Sequence, residues 1–298
     1  MSRITQSMLS NALLTDLNNI QEKLSQTQQR MSSGKQILKP SDDPYGTGQA
    51  LNYRADLASN SQYQTNVNDA SSWQDVTDGA LSDINTLLQR ARDLTVQGAS
   101  DTAGVQGRQA IAQELNQIID AIKTDGNTEY AGRYIFSGTK TSTPPYTPGG
   151  ADTYNGDSGT IYREIGPSVQ VPVNVLGSNV IGDGSTAGSL LATLRTVVSD
   201  LNSGNTSALQ TTDLQGIDSA ADNLASAQAT VGARPDRLQS ALSRRQQLQS
   251  AATKLLSNTE DADITQTIVD YSQQQAVYQA ALKAGAQIIQ PSLMDFLS

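Results

Sequence analysis

Both ends of this chain carry residues at the spacing of a coiled-coil seam. Near the start, alternating steps of four and three give Leu13, Leu17, Ile20, Leu24, Thr27 and Met31. Near the end, the same steps give Ile264, Ile268, Tyr271, Gln275, Tyr278, Leu282, Gly285 and Ile289. Such a stripe lies on one face of a helix and is stable only when it packs on other helices. We therefore predict two long terminal helices whose apolar seam residues take part in assembly.

The last helix carries a second apolar row, which is offset from the first. This row consists of Val277, Ala281, Ala284 and Ile288. A pair formed by the two terminal helices buries one stripe of each, so a second row needs a further neighbour. An intramolecular bundle is the alternative. Packing between subunits is the interpretation that we favour for the terminal segments, and an intramolecular bundle is favoured for the inner ones.

The composition limits the kind of core and the kind of partner. Aromatic residues make up only 4% of the 298 residues, so Ala, Leu, Ile and Val must fill the core, which favours thin helical bundles. The net charge of -9 argues against nucleic acid or an anionic membrane as a partner. No window approaches 18 apolar residues, and the first residues lack the apolar stretch of a cleaved signal peptide. The protein is expected either to stay in the cytoplasm or to be exported without such a signal.

The chain contains neither cysteine nor histidine. Disulfides, thiol catalysis and the commonest general base are therefore excluded. Residues 156–159 spell GDSG, the local signature of a serine protease nucleophile, but no histidine can take the hydroxyl proton, and a turn is expected. Asp42 and Asp43 before Pro44 indicate a helix start, and Asp261 and Asp263 indicate a solvated face in preference to calcium ligands. We expect no enzyme activity, no cofactor and no metal.

The apolar periodicity predicts a succession of helices. The predicted helices cover residues 5–32, 45–98, a segment that ends at Gly126-Asn127, residues 187–204, and a long region from residue 217 to the end. Pro235 should kink that last region or end it locally. Between them, residues 133–136, 160–165 and 169–175 read as short strands with Gly- and Pro-rich turns, among them a rigid turn at Pro144-Pro145-Tyr146.

The predicted fold is mainly α, with long N- and C-terminal coiled-coil helices, an inner helical bundle and a small β-rich insert. Three parts are expected: residues 1–44 with 255–298 as a terminal assembly domain, 45–132 with 187–254 as the bundle, and 133–186 as an outer insert. An antiparallel pair of the two ends brings residue 20 beside residue 275.

Several stretches together resemble the bacterial flagellin superfamily. They are residues 30–37 (RMSSGKQI), 40–44 (PSDDP), 88–97 (LQRARDLTVQ) and 231–238 (VGARPDRL). Residues 1–11, 130–139 (YAGRYIFSGT) and 292–297 (SLMDFL) are most similar to the members that form the junction between hook and filament. Pro235 departs from the family, which usually has a residue compatible with a straight helix there.

The resemblance implies a structural, non-enzymatic subunit of the flagellum. Such proteins are exported unfolded through the flagellar type III apparatus and lie outside the cell, between the first hook-associated junction protein and the flagellin filament. The implied partners are further copies of the chain, that junction protein, flagellin, and the export chaperone and export gate. The terminal helices would line the central tube, and the insert would face outward.

Two other functions stay open from the sequence. Filament flagellin shares the fold and polymerises without limit, and a cytoplasmic coiled-coil binding module is a rival of another class. Arg90 and Glu114 lie in stretches that resemble the flagellin surface read by a host receptor, which we interpret as incidental to the function.

Overall fold

The computed structural model describes residues 6–100 and 103–294, and most of this part of the chain is helical. In chain order the elements are α1 (Gln6–Ser33), α2 (Pro44–Gly98), α3 (Val105–Gly126), β1 (Glu129–Tyr130), β2 (Arg133–Tyr134), β3 (Tyr162–Gly166), β4 (Val169–Pro172), α4 (Gly177–Val180), α5 (Leu190–Ser203), α6 (Thr206–Ala208), α7 (Leu214–Gly232), α8 (Arg234–Glu260) and α9 (Ile264–Met294). The mainly α fold with a small β-rich insert is confirmed.

Local sequence signals set the ends of the first helices. Gly34 ends α1 with a φ of 71°, a left-handed conformation that glycine adopts without a steric penalty. The Asp43 carboxylate accepts a hydrogen bond from the Gly46 amide at 2.9 Å, with Pro44 at the first helical position. The neighbouring Asp42 accepts from the amides of Leu38 and Lys39. Both carboxylates therefore accept hydrogen bonds from backbone amides at or before the start of α2, as the sequence indicates.

The C-terminal region is not one continuous helix, and that expectation was wrong. A break at residues 261–263 separates α8 from α9. The Asp263 carboxylate accepts from the Gln266 amide at 3.1 Å, and Asp261 accepts from the Ser257 hydroxyl at 2.5 Å. Asp263 is therefore an N-cap residue of α9, not simply part of a solvated face. At Pro235 the expected interruption is confirmed, since α7 ends at Gly232 and α8 begins at Arg234.

The chain divides into two compact units. One contains residues 1–59 and 248–298, and the other contains residues 60–247. The helices α2 and α8 contribute residues to both. The division into three domains from the sequence remains a prediction.

The second unit is built around one apolar core. Trp73, Leu81 and Ile84 of α2 are almost fully buried in it, and so are Leu115 of α3 and Leu194 of α5. Phe136 and Tyr146 of the insert belong to the same cluster. The Trp73 ring meets the Tyr130 ring edge-on at 5.8 Å. The insert and the bundle therefore share one hydrophobic core.

The strands form two antiparallel hairpins. β1 pairs with β2 through a tight turn in which Ala131 and Gly132 both have positive φ, 49° and 74°. Positive φ at both central residues is the geometry of a type I′ turn, which matches the twist of a hairpin. β3 pairs with β4 in the register Tyr162 with Pro172, and the register shifts between Glu164 and Gly166. The predicted strands are thus present but shorter than expected.

Charged and polar side chains hold the loops of the insert. Lys123 is fully buried and pairs with Asp152, which also takes two hydrogen bonds from Arg195 at 2.6 and 3.0 Å. Burial alone would raise the pKa of Asp152, but hydrogen bonds from Arg195 and Lys123 lower it below its usual range. Asp152 therefore stays ionised between two cations.

Two segments of the insert that were singled out in the sequence, residues 156–159 and 144–146, are turns. In the GDSG segment, Asp157 accepts hydrogen bonds from Thr139 and from the Gly159 amide, and the Thr139 bonds hold its pKa below the usual range. After Pro144-Pro145, the Tyr146 side chain is buried and its hydroxyl donates to the Gly182 carbonyl at 2.9 Å. Both segments serve the packing of the insert.

One helical segment was not predicted from the apolar periodicity of the sequence. A helix runs without a break from Thr206 through a π-helical turn, Leu209–Asp213, into α7. Asp213 lies at the end of that turn and is only 4% exposed. Burial raises its pKa to about 6, and the nearby Asp200 adds to the effect. The neutral form of Asp213 is therefore favoured by folding.

We expect Asp213→Asn to flatten the pH dependence of stability. An unfolded aspartate has a pKa of about 3.9, so the stability that the neutral carboxyl contributes is lost as the pH rises from about 4 to about 6. Asparagine cannot ionise, so the variant should gain stability relative to the parent chain at pH 7.5 and little at pH 4. Urea unfolding at both values measures the change.

The matched control is Asp222→Asn, an exposed position on α7. It should leave the pH dependence as it is in the parent chain. If Asp213→Asn and Asp222→Asn have the same dependence, the folded structure does not favour the neutral form of Asp213.

Candidate assembly surface

The two terminal helices of the first unit pack against each other in an antiparallel pair. Leu13 of α1 lies against Gly285 of α9, and Ile20 lines a surface recess together with Gln274. At the other end, Lys35 and Asp261 form an antiparallel β-bridge. The expected position of residue 20 beside residue 275 is therefore confirmed.

The seam predicted on α1 faces its partner helix. Leu13, Leu17, Ile20 and Leu24 are half-buried, Thr27 is buried, and their neighbours on the helix are mostly exposed. Met31, the last seam residue, is 36% exposed. Steps of four and three thus identify the packed face of α1.

On α9 the predicted seam is only partly the packed face. The less exposed positions are Thr267, Asp270, Tyr271, Gln274, Tyr278, Ala281 and Gly285. Tyr271 and Tyr278 were in the predicted seam, whereas Ile264, Ile268 and Leu282 are 43%, 50% and 46% exposed. The side chain of Ile289 lies outside the described residues. These three aliphatic residues therefore lie largely outside the α1–α9 contact, and their part in assembly remains a prediction.

The two helices approach each other closely at Gly285. A Cβ atom added at Gly285 would lie 2.7 Å from Leu13 Cδ2, so Leu13 occupies the space that a side chain would need. Small residues at a helix contact let the backbones approach. The sequence pattern favoured Ile268 and Leu282, but the pair buries the smaller neighbours Thr267 and Ala281.

The large aliphatic residues of α9 remain exposed on both sides of its packed face. The exposed apolar side chains here are Ile264, Ile268, Val269, Val277 and Leu282. In the second apolar row, Val277 and Ala284 are exposed and Ala281 is half-buried, and the side chain of Ile288 lies outside the described residues. On α1, Met8 and Leu14 are also more than half exposed. The α1–α9 pair therefore leaves several apolar side chains of both helices in contact with solvent.

A buried carboxylate closes the base of the helix pair. The Glu260 side chain is 8% exposed and pairs with Lys35 Nζ at 2.6 Å and with Arg54. Its backbone carbonyl accepts from the Gln36 amide at 2.7 Å, and the Ala262 amide donates to the Gly34 carbonyl at 2.9 Å. Glu260 thereby ties the loop after α1 to the start of α2 and to the end of α8.

The first unit also contains a surface recess. Beside Glu260 lies an open recess of about 350 Å³, lined mainly by apolar residues such as Ile37, Pro40 and Leu51. In the part of the chain that the structure describes, no three acidic residues come together in a way that could hold a metal ion. Over the same residues, none of the helices is long and apolar enough to cross a membrane.

Two models of known protein families match this chain. The family model described as the bacterial flagellin N-terminal helical region matches residues 4–141, and the model of the C-terminal helical region matches residues 214–297. The chain belongs to the bacterial flagellin family. The two matched regions contain both members of the terminal helix pair.

Members of the flagellin family differ in how much of this chain they match. Flagellar hook-associated protein 3 of Escherichia coli K12 is 27% identical over 95% of both chains, and that of Salmonella typhimurium LT2 is 27% identical over 94% of this chain and 95% of its own. Flagellin of Escherichia coli K12 is 34% identical, but over only 43% of this chain and 26% of its own.

Solved structures share the flagellin-family fold. The hook-associated protein 3 of Legionella pneumophila has a TM-score of 0.62 at 19% identity and covers 69% of this chain and 97% of its own. FlgL of Bacillus cereus has a TM-score of 0.59 at 21% identity and covers 69% of this chain and 99% of its own.

We expect Glu260→Gln to loosen the base of the terminal helix pair. Its two cations are about half exposed and remain solvated, so the loss should be only about 1–2 kcal/mol in local stability. The amides of Gln36 and Ala262 should then exchange with solvent about 5–30 times faster.

Hydrogen exchange with mass spectrometry measures this change in the assembled state. Asp261→Asn is the matched control, because its carboxylate is exposed and accepts a hydrogen bond from Ser257, not from a cation, in the part of the chain that the structure describes. Equal exchange in both variants would mean that the Glu260 side chain does not hold the loop.

Proposed function

We propose that this chain is a structural subunit of the bacterial flagellum that forms the junction between the hook and the filament. The observation that carries the proposal is the length of the matches. Hook-associated protein 3 matches from end to end at 95% coverage, whereas flagellin matches less than half of the chain. A filament flagellin would be expected to match flagellin over its whole length.

Assembly is the role to which the terminal helices are suited. The α1–α9 pair buries one face of each helix and leaves aliphatic side chains of α9 in water, among them Ile268 and Leu282. Burial of apolar surface contributes roughly 25 cal/mol per Å², so neighbours that cover these side chains would stabilise the helices in the assembled state. The seam residues named from the sequence are proposed to pack partly within the subunit and partly between subunits.

The partners follow from that place in the flagellum. Further copies of the chain would form a ring, the first hook-associated junction protein would lie on one side, and flagellin on the other. Export through the type III apparatus, with a chaperone and the export gate as transient partners, would bring the chain outside the cell without a cleaved signal. The absence of cysteine supports this proposal, because no disulfide would hinder passage of an unfolded chain. No enzymatic role is proposed.

Electron microscopy of cells that lack this protein tests the function directly. Hooks without filaments, with flagellin released into the medium, are the expected result. Normal filaments in the deletion strain would refute the junction role. Long filaments formed by the purified protein on salting out would favour flagellin instead.

The two faces of the terminal pair should respond differently to a charge. Leu17→Asp places a carboxylate in the half-buried seam and should weaken the α1–α9 pair and block incorporation. Ile268→Asp changes a side chain that is 50% exposed, so the thermal stability of the monomer should stay the same while incorporation is lost.

Incorporation is measured by immunogold labelling of isolated flagella, and stability by thermal unfolding. Gln273→Asp, an exposed polar position on α9, is the matched control and should behave as the parent chain does. Normal junctions with Ile268→Asp would contradict the proposed contact between the exposed Ile268 side chain and a neighbouring subunit.

The ends of the chain should become ordered only on assembly. A lone two-helix pair that buries one stripe is marginal in water. Limited proteolysis of the monomer should therefore cut residues 1–40 and 255–298 well before residues 45–230, and assembled junctions should protect both. Ends that resist digestion as well as the middle region would refute coupled folding.

A further inference from the structure

The chain contains a single Asn-Gly pair, and the structure places it in the loop of the insert that leads to β3. The pair is Asn155-Gly156. An asparagine followed by glycine is chemically labile, because the glycine nitrogen can attack the side-chain carbonyl carbon without hindrance from a Cβ atom. Whether the reaction takes place in a folded protein depends on whether the fold occupies the groups that react.

The reacting groups of the pair make no hydrogen bonds within the described part of the chain. The Gly156 amide has no acceptor there, and the side chain of Asn155 is exposed and has no partner. By contrast, the Asn127 side chain donates to the Tyr146 carbonyl at 2.8 Å and accepts from the Tyr146 amide at 2.9 Å. The fold therefore holds the side chain of Asn127 but leaves that of Asn155 free to react.

The packing of the insert requires the glycine of this pair. A Cβ atom added at Gly156 would clash with the Tyr154 ring and would lie 2.8 Å from the Ser137 carbonyl oxygen. A larger residue, which would slow the reaction, does not fit here unless its neighbours move. The fold thus keeps Asn155 beside the residue that makes it most labile.

Two hydrogen bonds hold the backbone on either side of the reacting atoms. The Asn155 amide donates to the Pro145 carbonyl at 2.9 Å, and the Asp157 amide donates to the Ser137 carbonyl at 3.1 Å. Neither bond occupies the Gly156 nitrogen or the Asn155 side chain. The net contribution of one such bond is small, so opening one of them slows the reaction by no more than about tenfold.

We propose that Asn155 is a site of spontaneous deamidation in the folded chain. The Gly156 nitrogen loses its proton and bonds to Cγ of Asn155, the Cγ–Nδ2 bond breaks, and ammonia leaves with a proton in place of the one released. One water molecule then opens the cyclic imide. Attack of water on the main-chain carbonyl carbon gives isoaspartate, in which the chain continues through Cγ, and attack on Cγ gives aspartate. Water is the co-reactant, and no oxidant or reductant takes part, so the inference does not rest on the proposed function.

The isoaspartate product weakens a contact inside the insert. It adds one methylene group to the main chain and a carboxylate next to Asp157. The carboxylate of Asp157 accepts from the Thr139 amide at 2.6 Å and from the Gly159 amide at 3.0 Å, while its own amide is bonded to Ser137. The lengthened and more negative segment no longer fits these partners in the same register. Copies of the chain that have reacted therefore have a looser insert.

Peptide mapping of the purified full chain, incubated in water enriched in the heavy oxygen isotope, tests the proposal. The new carboxyl group takes its oxygen from water, so the label marks reaction during the incubation. At Asn155 the folded chain should react within about tenfold of the rate of the urea-unfolded chain, with isoaspartate in excess over aspartate. Asn60 is the matched control in the same chain, since Ser61 follows it, but it is buried within α2 and donates to the Arg245 carbonyl. Folding should slow the reaction at Asn60 by about 100-fold or more, because the helix must open first.

Asn155→Gln is the matched variant, because glutamine would have to close a larger ring. It should give no labelled product at residue 155 over the same time. The side chain at this position is exposed, so the thermal unfolding of the variant should be that of the parent chain. The amides of Thr139 and Asp157 should exchange with solvent faster in aged parent chain than in fresh chain, and equally fast in aged and fresh Asn155→Gln.

The possible outcomes are decisive for each part of the inference. If folding slows the reaction at Asn155 as much as at Asn60, the fold protects the pair and the proposal is overturned. If isoaspartate forms but the amides of Thr139 and Asp157 exchange as in fresh chain, the loosening of the insert is overturned. Both measurements use the purified chain, so neither result bears on the junction role, which the deletion strain tests separately.

Discussion

The narrow contact between α1 and α9 is the constraint that holds the first unit together. It buries one stripe of each helix, and Glu260 closes its base through Lys35 and Arg54. The second unit, in contrast, has a full apolar core around Trp73. The chain thus combines one well-packed unit with one that leaves apolar side chains exposed.

Much of this arrangement could be predicted from local patterns. Gly34, the Asp43–Pro44 pair and Pro235 each act through backbone conformation or a missing amide hydrogen, so their effects depend on few other residues. The seam of α1 was also predictable, because all of its large apolar residues fall on one face.

Other features depend on tertiary contacts that spacing alone does not contain. Spacing places Ile264, Ile268 and Leu282 on a seam, but it does not say whether they pack within one chain or between copies. The break at residues 261–263 depends on the capping of α9 by Asp263 and on a β-bridge with a residue more than 200 positions away. Arg234 lies next to an expected helix boundary, and its contacts with Gln74 and Asn174, both far away in the sequence, become visible only in the structure.

The notch at Gly285 has a mechanical consequence. Leu13 sits in the space left by the missing side chain, and one turn back along α9 the same leucine would meet Ala281, whose methyl group fills that space. A slip of about 5.4 Å between the two helices is therefore opposed by a steric stop. In a wall built from such helix pairs, a force along the helix axes would not make one helix slide past the other.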